Sequence, residues 1–402
     1  MLERKEYLDA LRRWRDRRAI KVITGVRRCG KTTLMKQFRD ELLREGIPEE
    51  YLITINLDDY SNLLLQDPMK LHAYILDHVP SVGKAYVFLD EIQNVSDYPS
   101  MLKSLFLQRN LDLYLTCSNA NSFLEEVAMQ LPGCYVTVSM LPLSFAEYVQ
   151  WTDDQSDLSG KFRNYIEHGA FPYTTGLNGN QEAAKEFLSG TYHTILLKEV
   201  VGRVKSAAPM ILDRILHIVF SRIGSTMSTK EISDALTSEG YKPDIRTVKK
   251  YLKAFLDSYL IYQVKQYDIC SKQPLKIQDK YYAVDMGLHT FLLGRSDTNL
   301  SRQLENVVYL ELMRRGYRVF HGKVKGLFVD FVAVNREATL YVQVAATVRD
   351  VKILRSKLRP LQCIHDNYPK LILTLDDDPD VEYAGIRRIN ALLWLIGTSD
   401  CK

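Results

Sequence analysis

The chain has 402 residues, too many for one typical core, so two to four domains are expected. Hydrophobic residues at 46% and charged residues at 25% are those of a globular protein in water, and a net charge of +4 permits nucleic acid as a partner without arguing for it. No apolar run approaches the roughly 20 residues of a membrane span, Met1 to Glu6 lacks the apolar core of a secretion signal, and the cysteines at 29, 117, 134, 270, 363 and 401 form no C-x-x-C pair, so a cytoplasmic protein without membrane contact, disulfides or structural zinc is expected.

Ile20, Val22 and Ile23 predict a strand, and Gly25-Val26-Arg27-Arg28-Cys29-Gly30-Lys31-Thr32-Thr33 follows as G-x-x-x-x-G-K-T. Leu34, Phe38 and Leu42 then mark the apolar face of a helix. Glycines at both ends of such a loop let the backbone amides turn inward onto phosphate oxygens, and the helix N-terminus adds positive potential. Residues 25 to 33 are therefore the predicted ATP-binding loop. Lys31 is expected on the β/γ-phosphates with a part in catalysis, and Thr32 as a magnesium ligand.

Tyr51 to Leu57 predicts a second strand and Met69 to Asp77 a helix. Ala85-Tyr86-Val87-Phe88-Leu89-Asp90-Glu91 is a continuous apolar run ending in two carboxylates, the pattern of a parallel strand buried on both faces. Behind a phosphate loop it reads as a Walker B strand, with Asp90 holding magnesium and Glu91 orienting or activating the attacking water. The strand and helix alternation predicts a doubly wound parallel sheet with ligands at its carboxyl ends. Leu111 to Asn119 is the next strand. Ser118 or Asn119 is the candidate sensor, Asn119 being counted with Lys31 and Glu91 as catalytic, and the alternative is turn chemistry that opens a helix. Tyr135 to Ser139 predicts a further strand, and residues 1–155 are taken as the ATPase domain.

Residues 156–208 read as a small helical region broken at Gly169-Ala170-Phe171-Pro172. Residues 209–268 read as a winged helix. Ile211, Ile215, Ile218 and Val219 line its first helix, Ser228 and Glu231 form a capping box on the second, and a third runs from Ile245 to about Ser258. Leu260 to Val264, with a return at Tyr267, makes the wing. On the third helix Ile245, Val248, Leu252, Phe255 and Leu256 are expected in the core, while Arg246, Lys249, Lys250 and Lys253 form one basic stripe. That stripe suits contacts to DNA phosphates, and the alternative is a solvated face. In residues 269–402 a helix from Gln303 to Arg315 precedes strands at 317–320, 329–333 and 340–344.

The phosphate loop, Val87 to Gln93, Ser118-Asn119 and Leu141 to Tyr148 together resemble the bacterial and archaeal AAA+ ATPases that carry a C-terminal domain of the DUF4143 type. The likeness continues through Tyr165 to Pro172, Thr194 to Arg203, Lys280 to Leu288 and Leu304 to Tyr317. It implies nucleotide held between neighbouring subunits, hence a homo-oligomer. Members usually have Gly-Arg before the strand at Tyr135, where this chain has Gly133-Cys134. That arginine is the natural phosphate contact, and Arg203 or Arg163 is the candidate to replace it.

Glu305, Asp330 and Gln343 resemble the arrangement of PD-(D/E)xK nucleases, so the last domain is expected to be a restriction-endonuclease-like α/β domain. Its third strand reads Gln343-Val344-Ala345 in place of E-x-K, which removes a metal ligand and a lysine and predicts an inactive site. Lys323 is the candidate replacement cation. The resulting expectation is an AAA+ enzyme that binds and hydrolyses Mg-ATP and engages DNA. The alternative is a nucleotide-gated switch with little turnover that binds a protein partner in defence or regulation.

Overall fold

The computed structural model describes residues 2–118, 120–152, 156–177, 179–203, 208–241, 243–294 and 300–398. The chain divides into two compact units, 1–142 with 257–259, and 143–256 with 260–402. Among the described residues no helix is long and apolar enough to cross a membrane.

The first unit contains α1 (Lys5–Trp14), β1 (Ile20–Thr24), α2 (Lys31–Arg44), β2 (Leu52–Asn56), α3 (Pro68–Asp77), β3 (Ala85–Asp90), α4 (Tyr98–Leu107), β4 (Leu111–Cys117), α5 (Ala120–Gln130) and β5 (Tyr135–Ser139). Its five strands are ordered β2-β3-β4-β1-β5 and all neighbours are parallel. A parallel sheet needs apolar cover on both faces, and β3 supplies it by alternation. Val87 and Leu89 join the core of Leu102, Leu105 and Leu115. Phe88 turns the other way, where it stacks with Tyr114 at 5.0 Å and meets Phe38 of α2 edge-on at 6.5 Å. This is the expected doubly wound sheet, and it brings the carboxyl ends of β1, β3 and β4 together.

The second unit begins with the helices α6 (Phe145–Trp151), α7 (Leu158–His168), α8 (Pro172–Thr175) and α9 (Gln181–Thr194). Next come α10 (Pro209–Ser221), β6 (Thr226–Met227), α11 (Thr229–Ser238), α12 (Ile245–Asp257), β7 (Ile261–Asp268), β8 (Gln273–Ala283) and α13 (Met286–Leu293). It ends with α14 (Leu300–Arg314), β9 (Arg318–Val324), β10 (Leu327–Val334), β11 (Thr339–Val344), α15 (Val351–Gln362), β12 (Lys370–Thr374), β13 (Val381–Tyr383), β14 (Ile386–Asn390) and α16 (Ala391–Leu395). One nine-stranded sheet, β13-β14-β12-β11-β10-β9-β7-β8-β6, runs through it. The finer partition at 209–268 and 269–402 falls inside this sheet, because residue 268 lies in the β7–β8 hairpin.

Three local expectations are corrected. Tyr267 does not return the chain: it continues β7, and the returning strand is β8, after a turn that holds Lys272 at φ 54°. Ser228 caps α11 by accepting from the Glu231 amide at 3.2 Å, but the reciprocal capping box lies at Ser144 and Glu147 on α6. Ile245, expected in the core, is exposed, while Tyr251 takes an inward position.

Candidate active site

The phosphate loop connects β1 to α2. Gly25 (φ 150°) and Gly30 (φ 106°) both occupy backbone geometry that side chains disfavour. At Gly25 a Cβ would stand 2.1 Å from the Met140 carbonyl oxygen, so only glycine fits against the strand exit of β5. Arg28 holds φ 68°, which costs a non-glycine residue about 1 kcal/mol or more. Arg4, just before α1, ties the loop to that exit. Its guanidinium donates to the Leu141 carbonyl at 2.8 Å and to those of Pro142 and Cys29 at 3.3 and 3.4 Å. No local sequence pattern marks Arg4, since its partners lie up to 138 residues away.

Lys31 is buried, and its Nζ donates to the carbonyl of Gly25 at 3.0 Å and of Val26 at 3.3 Å, and to Ser118 Oγ at 3.0 Å. It also faces Glu91 Oε1 at 3.8 Å. Ser118 Oγ lies 2.8 Å from each Glu91 oxygen, and Gln93 Nε2 donates to Glu91 as well. Burial pushes the Glu91 carboxyl up, but the Lys31 charge and the Gln93 and Ser118 hydrogen bonds outweigh it, so Glu91 is held below its ordinary range and charged. Its backbone is left-handed (φ 56°, ψ 52°), and its amide donates to Thr116 Oγ1 at 2.8 Å.

Thr32 Oγ1 donates to Asp90 Oδ2 at 2.7 Å and Thr116 Oγ1 to Asp90 Oδ1 at 2.5 Å. Burial raises the Asp90 carboxyl above its ordinary range against these two hydrogen bonds, with neighbouring Glu91 adding to the rise. A carboxylate that burial disfavours, beside a hydroxyl 2.7 Å away, is a donor pair suited to a hard oxygen-binding cation such as magnesium. Arg27 pairs with Asp58 at 2.6 Å, Cys29 is buried, and Thr33 lies in the first turn of α2. Loop and carboxylates thus converge as the sequence places them. Asn119 lies outside the described residues, as does the side chain of Arg203. Ser118 fills the bridging position next to Asn119.

Cys134 lies at the other end of the sheet: its carbonyl accepts from the Ile20 amide at 2.8 Å, at the start of β1. The strand of five residues separates it from the phosphate loop by roughly 13 Å. Position 134 therefore cannot serve the phosphate loop of its own chain.

In the second unit Arg246, Lys249, Lys250 and Lys253 are all exposed along α12, opposite buried Val248, Tyr251, Leu252 and Phe255. The four cations thus share one face of the helix.

Glu305, Asp330 and Gln343 do converge, but two lysines that sequence reasoning misses stand among them. Lys280 of β8 pairs with Glu305 at 2.8 Å and faces Asp330 at 3.8 Å. Lys357 of α15 donates to Asp330 at 2.7 Å and to Gln343 Oε1 at 3.5 Å. Burial raises Asp330, yet Lys357 and Lys280 more than reverse it, and burial lowers Lys280, yet Glu305 and Asp330 more than restore it. Asp330 reaches both lysines from a bulge in β10, between Val329 and Val332. Gln343 Nε2 donates to the Phe328 carbonyl at 3.0 Å, and Tyr282 donates to Glu305 at 2.7 Å. With ammonium groups already neutralising the carboxylates, these residues do not fit a divalent cation. Lys323, the candidate replacement, instead lies opposite Phe328 and beside Asp268.

Residues 17–149 match a family described as an AAA domain, and residues 159–299 match a domain of unknown function, DUF8612. The second match corrects the DUF4143 type that the resemblance implied. An uncharacterized protein of Haemophilus influenzae is 34% identical over 98% of this chain and 99% of its own length. Another from Methanocaldococcus jannaschii is 28% identical over 89% of this chain and 82% of its own. In fold, the chain is similar to a Walker-type ATPase of Pyrococcus abyssi, with a TM-score of 0.52 at 16% identity over 73% of this chain and 96% of that one.

Proposed function

The chain belongs to the family of the Haemophilus influenzae protein that it matches end to end, and from that premise we propose that it is an AAA+ enzyme that binds and hydrolyses Mg-ATP and engages DNA. The observation that carries the ATPase reading is the linkage of Lys31, Ser118 and Glu91 at the carboxyl ends of β1, β3 and β4. Lys31 supplies fixed charge to the β/γ-phosphates, and the loop amides of 25–33 bind the remaining oxygens. Magnesium, held by Thr32 and Asp90, would neutralise charge on the phosphates. Glu91, kept ionised, accepts the proton of the attacking water, and Ser118 orients it. Cys134 faces the opposite end of the sheet, so an arginine for the phosphates has to come from elsewhere, in keeping with a homo-oligomer.

For DNA the supporting observation is α12. The order α10, β6, α11, α12, β7, β8 with β6 and β7 flanking β8 supports the winged-helix reading, and the third helix carries the basic stripe. The lysine-filled cluster of Glu305 and Asp330 favours a nuclease-like domain kept as a binding body without cleavage. ATP turnover with and without single-stranded, duplex and branched DNA tests the whole reading. Lys31→Ala should abolish tight ATP binding, and Glu91→Gln should leave ATP bound and uncleaved. Turnover by Glu91→Gln at the parent rate would refute Glu91 as the catalytic carboxylate, and turnover indifferent to every DNA favours the nucleotide-gated switch.

A further inference from the structure

At the amino ends of β1 and β4, the edge of the first unit opposite the phosphate loop, a cavity of about 360 Å³ opens between residues 16–20 and 106–113. Its wall carries Arg17, Arg18, Lys84 and Arg109 against two acids, Asp16 and Asp112. Both acids are already engaged. Asp112 is ion-paired with buried Lys21 and accepts from the Asp16 amide at 3.0 Å and the Tyr114 hydroxyl at 2.9 Å. Asp16 takes Lys84 at 3.1 Å and Arg15 at 3.4 Å, and these bring its carboxyl below the ordinary range although burial raises it.

The arginines of the wall are not neutralised in this way. The Arg18 guanidinium carbon stands 5.4 Å from the centroid of the Phe106 ring, a cation–π contact that leaves its charge unneutralised. Arg17 and Arg109 are exposed on the rim, and neither side chain has an ion pair or hydrogen bond among the described residues. Guanidinium groups recognise phosphate through paired N–H donors, more strongly than an ammonium can. A cavity of this size accepts a phosphate group with part of what carries it.

The geometry points to a second anion site here, one that binds a phosphate-bearing ligand between Arg17, Arg18 and Arg109 and is independent of the phosphate loop. The phosphate belongs either to a nucleic-acid strand or to a free phosphorylated molecule. Nothing in the nucleotide or DNA readings above requires this site, since it uses neither residues 25–33 nor α12.

The test uses the full chain with Lys31→Ala, so that the phosphate loop does not compete. Inorganic pyrophosphate and a labelled DNA oligonucleotide are titrated at low salt, with and without Arg17→Ala and Arg109→Ala. The two arginines are exposed, so thermal midpoints should match. Loss of at least about tenfold in affinity for either probe on removing both arginines supports the site. If only pyrophosphate is affected the ligand is free, and if the oligonucleotide is affected with a shallower salt slope it is a nucleic acid. Unchanged affinity for both probes, or no saturable binding of either, overturns it.

Discussion

Ser118 Oγ lies 2.8 Å from both carboxylate oxygens of Glu91 while accepting a hydrogen bond from Lys31 at 3.0 Å. The serine thus links Lys31, proposed above to bind phosphate, to Glu91, proposed to act on water. Ser118→Ala removes a hydrogen bond to a charged acceptor, which is worth about 1.5–3 kcal/mol. Turnover should fall by roughly 10 to 100-fold with little change in the KM for ATP. A raised KM at unchanged kcat would instead put Ser118 in ground-state binding.

Reversal of two charges on the α12 stripe, by Lys249→Glu with Lys253→Glu, should weaken DNA binding about equally for all sequences. The slope of log affinity against log salt should drop by about one for each phosphate that no longer meets a cation. ATP binding should be unaffected. An unchanged affinity and slope would make the stripe a solvated face.

The lysine-filled cluster makes a stability prediction and a chemical one. Lys280→Met leaves Glu305 and Asp330 short of a buried cation and should cost about 3 kcal/mol in urea denaturation. Adding Glu305→Gln should recover much of that loss, because the unpaired charge goes with it. Magnesium or manganese should elicit no cleavage of supercoiled, linear or branched DNA. Nicking that vanishes in Asp330→Ala would show that a metal displaces the lysines.

Acid stability follows from three buried groups of the second unit. Burial pushes His289 and His321 down to about 4 from an ordinary 6.5, so the unfolded chain binds more protons and stability is lost as pH falls from 6.5 through 4. Asp285 acts in the opposite sense: burial lifts it to about 6 from 3.8 against amide hydrogen bonds from Ala170 and Leu288, so its contribution is lost as pH rises through 6. Each group changes the slope by at most about 1.4 kcal/mol per pH unit. Thermal midpoints measured from pH 4 to 7 should fall more steeply toward acid in Asp285→Asn and less steeply in His289→Gln. Parallel curves for the three proteins would exclude these residues as the titrating groups.

What the sequence discloses about the site is what is contiguous in it. Gly25 to Thr33 and Asp90-Glu91 need only their own strand and helix to be placed, and the fold brings them together as expected. Arg4, Lys280 and Lys357 are invisible because their meaning comes from partners far along the chain: Arg4 from Leu141 and Pro142, Lys280 from Glu305, Lys357 from Asp330. Lys323 looks the better substitute cation because it is near Asp330 in sequence, yet strand alternation and the β10 bulge aim it elsewhere. Ile245 misleads for a related reason. Periodicity gives a helix a face but does not say how far its first turn extends beyond the core.

The pairing of β7 with β9, in register from Gln266 opposite His321 to Asp268 opposite Lys323, has a mechanical consequence. Load applied to the helices of residues 209–257 is not taken up by a linker; it passes through a ladder of backbone hydrogen bonds into the strands that bear Asp330 and Gln343. Such a ladder resists shear and fails only by unzipping, so the segments behave as one plate with no hinge between them. Severing the chain at residue 268 would part β7 from both β8 and β9 and leave bare edges on either fragment, the condition under which strands recruit foreign partners and aggregate.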